Sequence, residues 1–297
     1  MWFWLSLVAI LFWSGSDFFS KLGSKPDDKL SHWKMVMAVG LFMGLHATVE
    51  LLRGTPFTFR DILTYLPVSF LYILAMVLGY VGLRYIMLSV STPICNSSGA
   101  VAAVLCYLFL HESMAPIQLV AVVLILVAIF LLSLFEKQND DAQRRLAGGT
   151  PDKKYTRSFI AILLPILYCI IDGLGTFADA FVLEKMEEES ANIAYEYTFL
   201  ILGVLAFIYV VFIRKEKLIV KRETPKLIAG ICETAGQYAY IFAIGANAIT
   251  AAPMISSYCM FSVIWARIFL KEKLNWKQYF AIALAVTGIV ILGIFDA

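Results

Sequence analysis

A chain of 297 residues that is 61% hydrophobic and only 15% charged cannot be a water-soluble globular domain. Ten apolar spans of about 20 residues each would use most of that length and leave no stretch for a soluble catalytic domain. The formal net charge of +2 says little, because the charges are gathered in a few loops and their placement carries the information.

The apolar runs fall at 2–22, 31–53, 64–88, 91–110, 115–135, 158–184, 190–213, 225–246, 249–270 and 274–295. They predict an all-α integral membrane protein with ten transmembrane helices. The opening MWFWLSLVAILFW lacks a basic start and a small-residue cleavage site, so it reads as a retained span. Span 1 carries Trp13, Asp17 and Lys21 at steps of four. Asp17 and Lys21 also fit a local interfacial ion pair. Glu50 and Arg53 end span 2 and read as interfacial, and Tyr80 and Arg84 end span 3 one turn apart. Span 4 opens as STPICNSSGA, small and polar, where a helix unwinds or a neighbour approaches closely. Residues 136–157 are the longest polar stretch and read as a flexible linker between halves 1–135 and 158–297.

Span 6 holds Asp172 roughly 20 Å from either end, at about 1.5 Å per residue. An unpaired carboxylate at that depth is costly, so it faces a polar cavity or a partner. Tyr168, Asp172, Thr176 and Asp179 share one helical face, and Gly173 and Gly175 predict a weakened or opened helix beside the acid. Two readings stay open at this point: the wall of a transport cavity, or a buried aspartate hydrogen-bonded to a neighbouring helix. After the acidic loop EKMEEES, span 7 adds Asn192 and Glu196, and span 8 presents Glu233, Gln237 and Tyr240 on one face. Span 9 opens as ITAAPMISSY and holds Arg267 in its last turn.

Asp172, Asp179, Glu196 and Glu233 lie at different depths and form a candidate ladder of acids; the first half has no mid-depth carboxylate. A buried carboxylate takes either a proton or a cation, so one group can bind both in competition, which suffices for proton/cation antiport. Asp179 and Glu196 alternatively pair with Lys185 or stay hydrated at the interface. Trp13, Tyr168 and Tyr240 offer ring faces, each worth about 0.5–2 kcal/mol to a well-placed cation. Basic residues are absent at mid-depth, which argues against phosphorylated substrates. The candidate substrate or proton site is therefore Asp172, Glu233, Glu196, Tyr168, Thr176, Gln237, Tyr240, Asp179, Trp13 and Asp17. The five cysteines and three histidines make no metal-ligand spacing, so no metal and no cofactor are expected. No Walker A motif, HExxH or nucleophile–base arrangement is visible, which disfavours an ATPase or an intramembrane enzyme. A flippase for an amphipathic or lipid-linked substrate is the alternative carrier. Nucleic acid is not an expected partner; the lipid bilayer is, with the chain as a monomer or homodimer.

Shifted by 160 residues, the chain aligns with itself: Pro93–Phe135 against Pro253–Phe295 agree at 11 of 43 positions, including Ser97/Ser257, Gln118/Gln278 and the FLHE and FLKE endings. A five-span unit repeated in one chain must insert its second copy upside down, the inverted-repeat plan of secondary transporters. With span 1 reading FWSGSDFFSKL, these features make the chain similar to EamA-type ten-span members of the drug/metabolite transporter superfamily. The resemblance implies a carrier of small metabolites, amino acids or cationic compounds, often proton-driven, and covers the whole chain. Asp172 departs from it, standing near where many members carry an aromatic residue.

The loops after odd-numbered spans, with their flanks, hold 21 of the 24 lysines and arginines; only Arg53, Arg60 and Lys185 lie on the other side. The positive-inside rule then puts both termini outside a cell membrane, and this bias outweighs the cytoplasmic termini that the resemblance implies. A cysteine placed within Gly148–Thr150 should be shielded from an impermeant thiol reagent in intact cells, and one appended after Ala297 should be labelled. The reverse pattern would overturn this orientation.

Overall fold

The computed structural model describes residues 1–23, 28, 30–82, 95–146, 159–269 and 274–295. Arg84, Pro93, Glu272, Ala297 and the Gly148–Thr150 stretch lie outside the described residues, as do the side chains of Lys21 and Tyr80. The described backbone is helical throughout its apolar runs: α1 (Trp2–Gly23), α2 (Ser31–Leu52), α3 (Phe59–Gly82), α4 (Ser98–Leu105), α5 (Pro116–Leu146), α6 (Phe159–Leu183), α7 (Glu188–Phe207), α8 (Val220–Ile255), α9 (Tyr258–Phe269) and α10 (Trp276–Ile294). π-helical turns, Cys106–Leu110 and Ile208–Ile213, extend α4 and α7. Six of the helical stretches are long and apolar enough to cross a membrane, with shorter apolar stretches at Ser98–Leu110, Pro116–Leu132 and Tyr258–Phe269. In hydrocarbon the helix is the form that satisfies every backbone polar group within one segment.

Two local expectations change and one boundary is met. Helix α5 runs through Leu146, so the first eleven residues of the expected linker are helical; their Glu, Lys, Gln, Ala, Arg and Leu content favours continuing the turn. The boundary expected between spans 8 and 9, at 246 and 249, is met within α8, which breaks at Asn247 (φ −166°, ψ 82°). Asn247 Oδ1 accepts from Thr250 N at 3.4 Å, and the Glu112 carboxylate accepts from Ile249 N at 2.9 Å, so the restarted helix has acceptors for its free amides. Helix α6 stays continuous past Gly173 and Gly175. Those glycines admit neighbours instead: a Cβ on Gly173 would lie 2.7 Å from Val101, and one on Gly175 would lie 3.1 Å from the Tyr72 ring.

Packing follows a paired pattern. α1 lies on α8 and α9, α3 on α6 and α7, α2 on α7 and α8, α4 on α6 and α8, and α5 on α10. One apolar core joins α1, α4, α5, α8 and α10 through Ile10, Ile125, Ile129, Ile244 and Leu292; a second joins α2, α3, α7 and α8 through Met43, Tyr65, Phe199 and Ile241. α2 and α7 touch backbone to backbone, since a Cβ on Gly40 would sit 2.5 Å from the Phe199 carbonyl oxygen.

One end of the bundle is tied by a buried ion cluster. Lys34 Nζ lies 3.1 Å from Asp28, 3.3 Å from Glu216 and 3.4 Å from Glu223; Lys226 Nζ lies 2.6 Å from Glu223 and 3.5 Å from Asp28. Burial alone would raise the Asp28 pKa, but the Lys34 hydrogen bond and the charges of Lys34 and Lys226 more than offset it and hold the carboxyl below its ordinary 3.8. A depressed folded-state pKa contributes stability that is present above the unfolded value and is lost as pH falls through the folded one. Asp28→Asn should therefore cost about 3 kcal/mol at pH 7, as expected for removing one partner of a buried pair. Thermal unfolding in detergent should show that gap narrowing below pH 4; a gap that persists unchanged would rule out the ionic origin.

Candidate functional site

The carboxylates of the second half need partners, and the fold supplies them unequally. A cavity of about 360 Å³ opens among α1, α2, α3, α4, α6, α7, α8 and α9, lined by Trp13, Asp17, Tyr168, Asp172, Thr176, Glu233, Gln237 and Tyr240 among others. Eight of the ten expected site residues thus meet at one place. No Lys, Arg or His is among the described lining residues. Asp172 comes from the mid-length of α6 with Ser98 of α4 hydrogen-bonded to it, and Glu233 comes from α8 with Ser16 of α1 hydrogen-bonded to it. Asp17 is more exposed and accepts from Ser262 Oγ at 3.2 Å.

Two acids stand apart. Asp179, one turn beyond Thr176, is fully buried and accepts from Tyr65 OH at 2.6 Å and Tyr72 OH at 3.4 Å. The Tyr72 hydroxyl lies 2.5 Å from Tyr240 OH, and both tyrosines reach Thr176 Oγ1, at 3.3 and 3.2 Å. Each hydroxyl has one proton. With Asp179 ionised, Tyr72 donates to it, Tyr240 donates to Tyr72, and Thr176 donates to the Asp172 carbonyl at 3.2 Å. Asp179 therefore orients the ring wall from behind. Glu196, also fully buried, pairs with His46 Nδ1 at 2.8 Å and not with Lys185.

The aromatic wall is continuous. Trp13 lies 4.9 Å from the Tyr240 ring and 5.9 Å from that of Tyr258, and Tyr72 lies 5.9 Å from Tyr195. Trp13 Nε1 and Gln237 Nε2 are buried donors with no hydrogen-bond partner, and the indole edge of Trp13 packs on Gly236, where a Cβ would lie 2.7 Å from Nε1.

Sequence reasoning missed Tyr72, Tyr65, Ser16 and the pairing of Glu196 with His46. Nothing along α3 marked its tyrosines, since the acid on their helix face, Asp61, lies in the first turn and accepts from Thr58 N at 2.6 Å. The polar starts of spans 4 and 9 did carry a signal: Cys95, Asn96, Ser98 and Gly99 from one, and Ala252, Ile255, Ser256 and Tyr258 from the other, line the cavity. The backbone turns at Asn96–Ser97 and again, 160 residues on, at Ser256–Ser257.

This chain matches the EamA-like transporter family over residues 1–134 and 159–294. It belongs to that family. EamA-like members are membrane transporters of small molecules, and this chain is a multi-pass membrane protein of that kind. An uncharacterized protein of Methanocaldococcus jannaschii is 29% identical over 131 residues, which are 44% of this chain and 94% of the relative. A solved crystal structure shares the fold, with a TM-score of 0.71 at 14% identity, covering 99% of this chain and 96% of that one.

The hydroxyl chain makes a specific energetic claim for this EamA-like protein. Tyr65→Phe removes the shortest donor to a buried carboxylate and should destabilise the folded protein by about 1.5–3 kcal/mol. In an Asp179→Asn background the same substitution should cost much less, measured by thermal unfolding of the four proteins of the double-mutant cycle. Equal costs in both backgrounds would show that Tyr65 acts through packing alone.

Proposed function

We propose that this EamA-like protein is a secondary active carrier of a small cationic or amine-bearing compound or amino acid, working by alternating access with proton coupling. The observation that carries this reading is the cavity itself: carboxylates from α6 and α8 enter it, aromatic rings wall it, and no described lining residue is basic. A cation entering it would meet charge attraction from Asp172 and Glu233 and ring faces from Trp13, Tyr168 and Tyr240.

The architecture in this reading is ten transmembrane helices in two inverted five-helix repeats, 1–135 and 158–297, joined by 136–157, with both termini outside a cell membrane. Three observations support the repeat. Exchanging α1–α5 for α6–α10 maps the contact α1·α8 onto α3·α6, α2·α8 onto α3·α7 and α4·α6 onto α1·α9, and leaves α2·α7 and α5·α10 as they are. Gln118 Oε1 accepts from Ala115 N at 2.9 Å, and Gln278 Oε1 accepts from Asn275 N at 2.9 Å, 160 residues later. The Methanocaldococcus jannaschii relative is matched over 94% of its length by less than half of this chain, as expected of a single-repeat protein. A site at the junction of such repeats is reachable from either face in turn.

Asp172→Asn keeps the shape and removes the charge. In a thermal-shift screen of purified protein against amines, quaternary ammoniums and amino acids, a binder should raise the midpoint of the parent protein. The variant should bind it about 10- to 100-fold more weakly, the loss of a charge-assisted contact worth about 1.5–3 kcal/mol. Unaltered binding by Asp172→Asn would leave Asp172 as a structural hydrogen-bonding residue and sink this assignment.

A further inference from the structure

Glu196 does not enter the cavity. It is sealed between α7 and α2, and both of its oxygens lie on His46 Nδ1, at 2.8 and 2.9 Å. The His46 side chain is 28% exposed, and its Nε2 lies 3.8 Å from Glu50 Oε1. Glu50 in turn accepts from Arg53 Nη1 at 2.6 Å. Residues 46, 50 and 53 sit on one face of α2 and run to its end, so titratable groups form a row from the membrane surface to a sealed carboxylate. Among the described residues, the other ionisable groups facing this spot are Tyr238 of α8, whose ring is 5.2 Å from the His46 ring, Glu189 of α7, which interacts with Tyr238, and Tyr195, beside Glu196 in α7. The partner of Glu196 is thus an imidazole, the side chain that ordinarily changes charge between pH 5 and 8.

We infer that the His46–Glu196 pair is a proton-binding site of this carrier, separate from the substrate cavity and loaded from the face where α2 ends. The inference rests on the carrier reading above. While α2 and α7 are apposed, an imidazolium holds the Glu196 carboxylate. When they part, the carboxylate faces surroundings that do not solvate an anion, so the Nδ1 proton passes to its oxygen and both groups become neutral. The neutral imidazole then takes a proton from water past Glu50, so the parted pair holds one proton more than the apposed pair and falling pH favours separation. Closing returns that proton to water, and no other reactant is needed. The two helices lie in opposite halves of the chain, which is where an alternating-access carrier must slide. Tyr195 and Phe199, on either side of Glu196 in α7, line the cavity, and their rings stand 4.8 Å apart. A shift of α7 that frees Glu196 therefore moves the substrate wall as well.

The test needs no ligand. Spin labels at Leu52→Cys, which is exposed at the end of α2, and Lys185→Cys, before α7, would be placed in the full chain with its native cysteines replaced, in lipid nanodiscs. Distance distributions measured from pH 5 to 8.5 should shift between two populations by at least threefold. Glu196→Gln and His46→Gln should each flatten that dependence, while the exchanged pair His46→Glu with Glu196→His restores it. A flat profile in the parent, or a profile surviving Glu196→Gln or His46→Gln, would overturn the proposal. Failure of amine binding at Asp172 would sink the cavity reading alone, and a flat profile with intact binding would sink the proton site alone.

Discussion

A charge inside a bilayer must be met by a partner from the protein, because hydrocarbon offers no water to solvate it. That constraint sorts the polar residues of this chain. Lys34 and Lys226 are locked among Asp28, Glu216 and Glu223; Glu196 is held by His46; Asp179 is held by Tyr65 and Tyr72. Asp172 and Glu233 have serine neighbours and an open cavity in front of them. The same rule that makes a buried ion pair costly to break makes a cavity carboxylate receptive, since a ligand or a proton supplies what the fold withholds.

The sequence could rank the acids by depth but not by partner. Periodicity along span 6 correctly put Tyr168, Asp172 and Thr176 on one face, and all three line the cavity. Asp179 continues that face by one turn, yet it lies under Tyr65, 114 residues away in the chain. Glu196 looked equivalent to Asp179 until a histidine 150 residues away came to rest on it. Spacing within one helix reports which side chains share a face; which helix that face meets is a property of the assembled bundle. Gly173 and Gly175 follow the same logic. A glycine beside a buried acid suits a broken helix and a close neighbour equally well, and the neighbours, Val101 and Tyr72, come from other spans.

Most helix ends were legible, their causes less so. α1 and α2 fall within a residue or so of expectation, since charged loops bound them. The break at Asn247 falls between the expected spans 225–246 and 249–270, but the acceptors that hold the restart, an asparagine cap and Glu112 from a distant turn, could not be read along that apolar run. Both half-helix turns, at Asn96–Ser97 and Ser256–Ser257, line the cavity or adjoin residues that do, so the irregular backbone lies where water or a ligand can reach it.

The 160-residue offset also bears on why the acids are one-sided. α1 ends at Gly23 and α6 at Leu183, and α5 begins at Pro116 and α10 at Trp276, so the offset recurs at helix ends of both halves. At that offset Asp172, Asp179, Glu196 and Glu233 stand opposite Phe12, Phe19, Val36 and Ile73. A scaffold of two similar halves would have two similar conformations, related by exchanging the roles of the halves. Similar halves make similar contacts in either state, which keeps the two close in energy. In the carrier reading proposed above, a second full set of carboxylates would hold a cation too firmly to release it. Asp17 is the one lining acid from the first half, and apolar residues opposite Asp172 and Glu233 leave the backbone contacts alike while most of the charge stays in one copy.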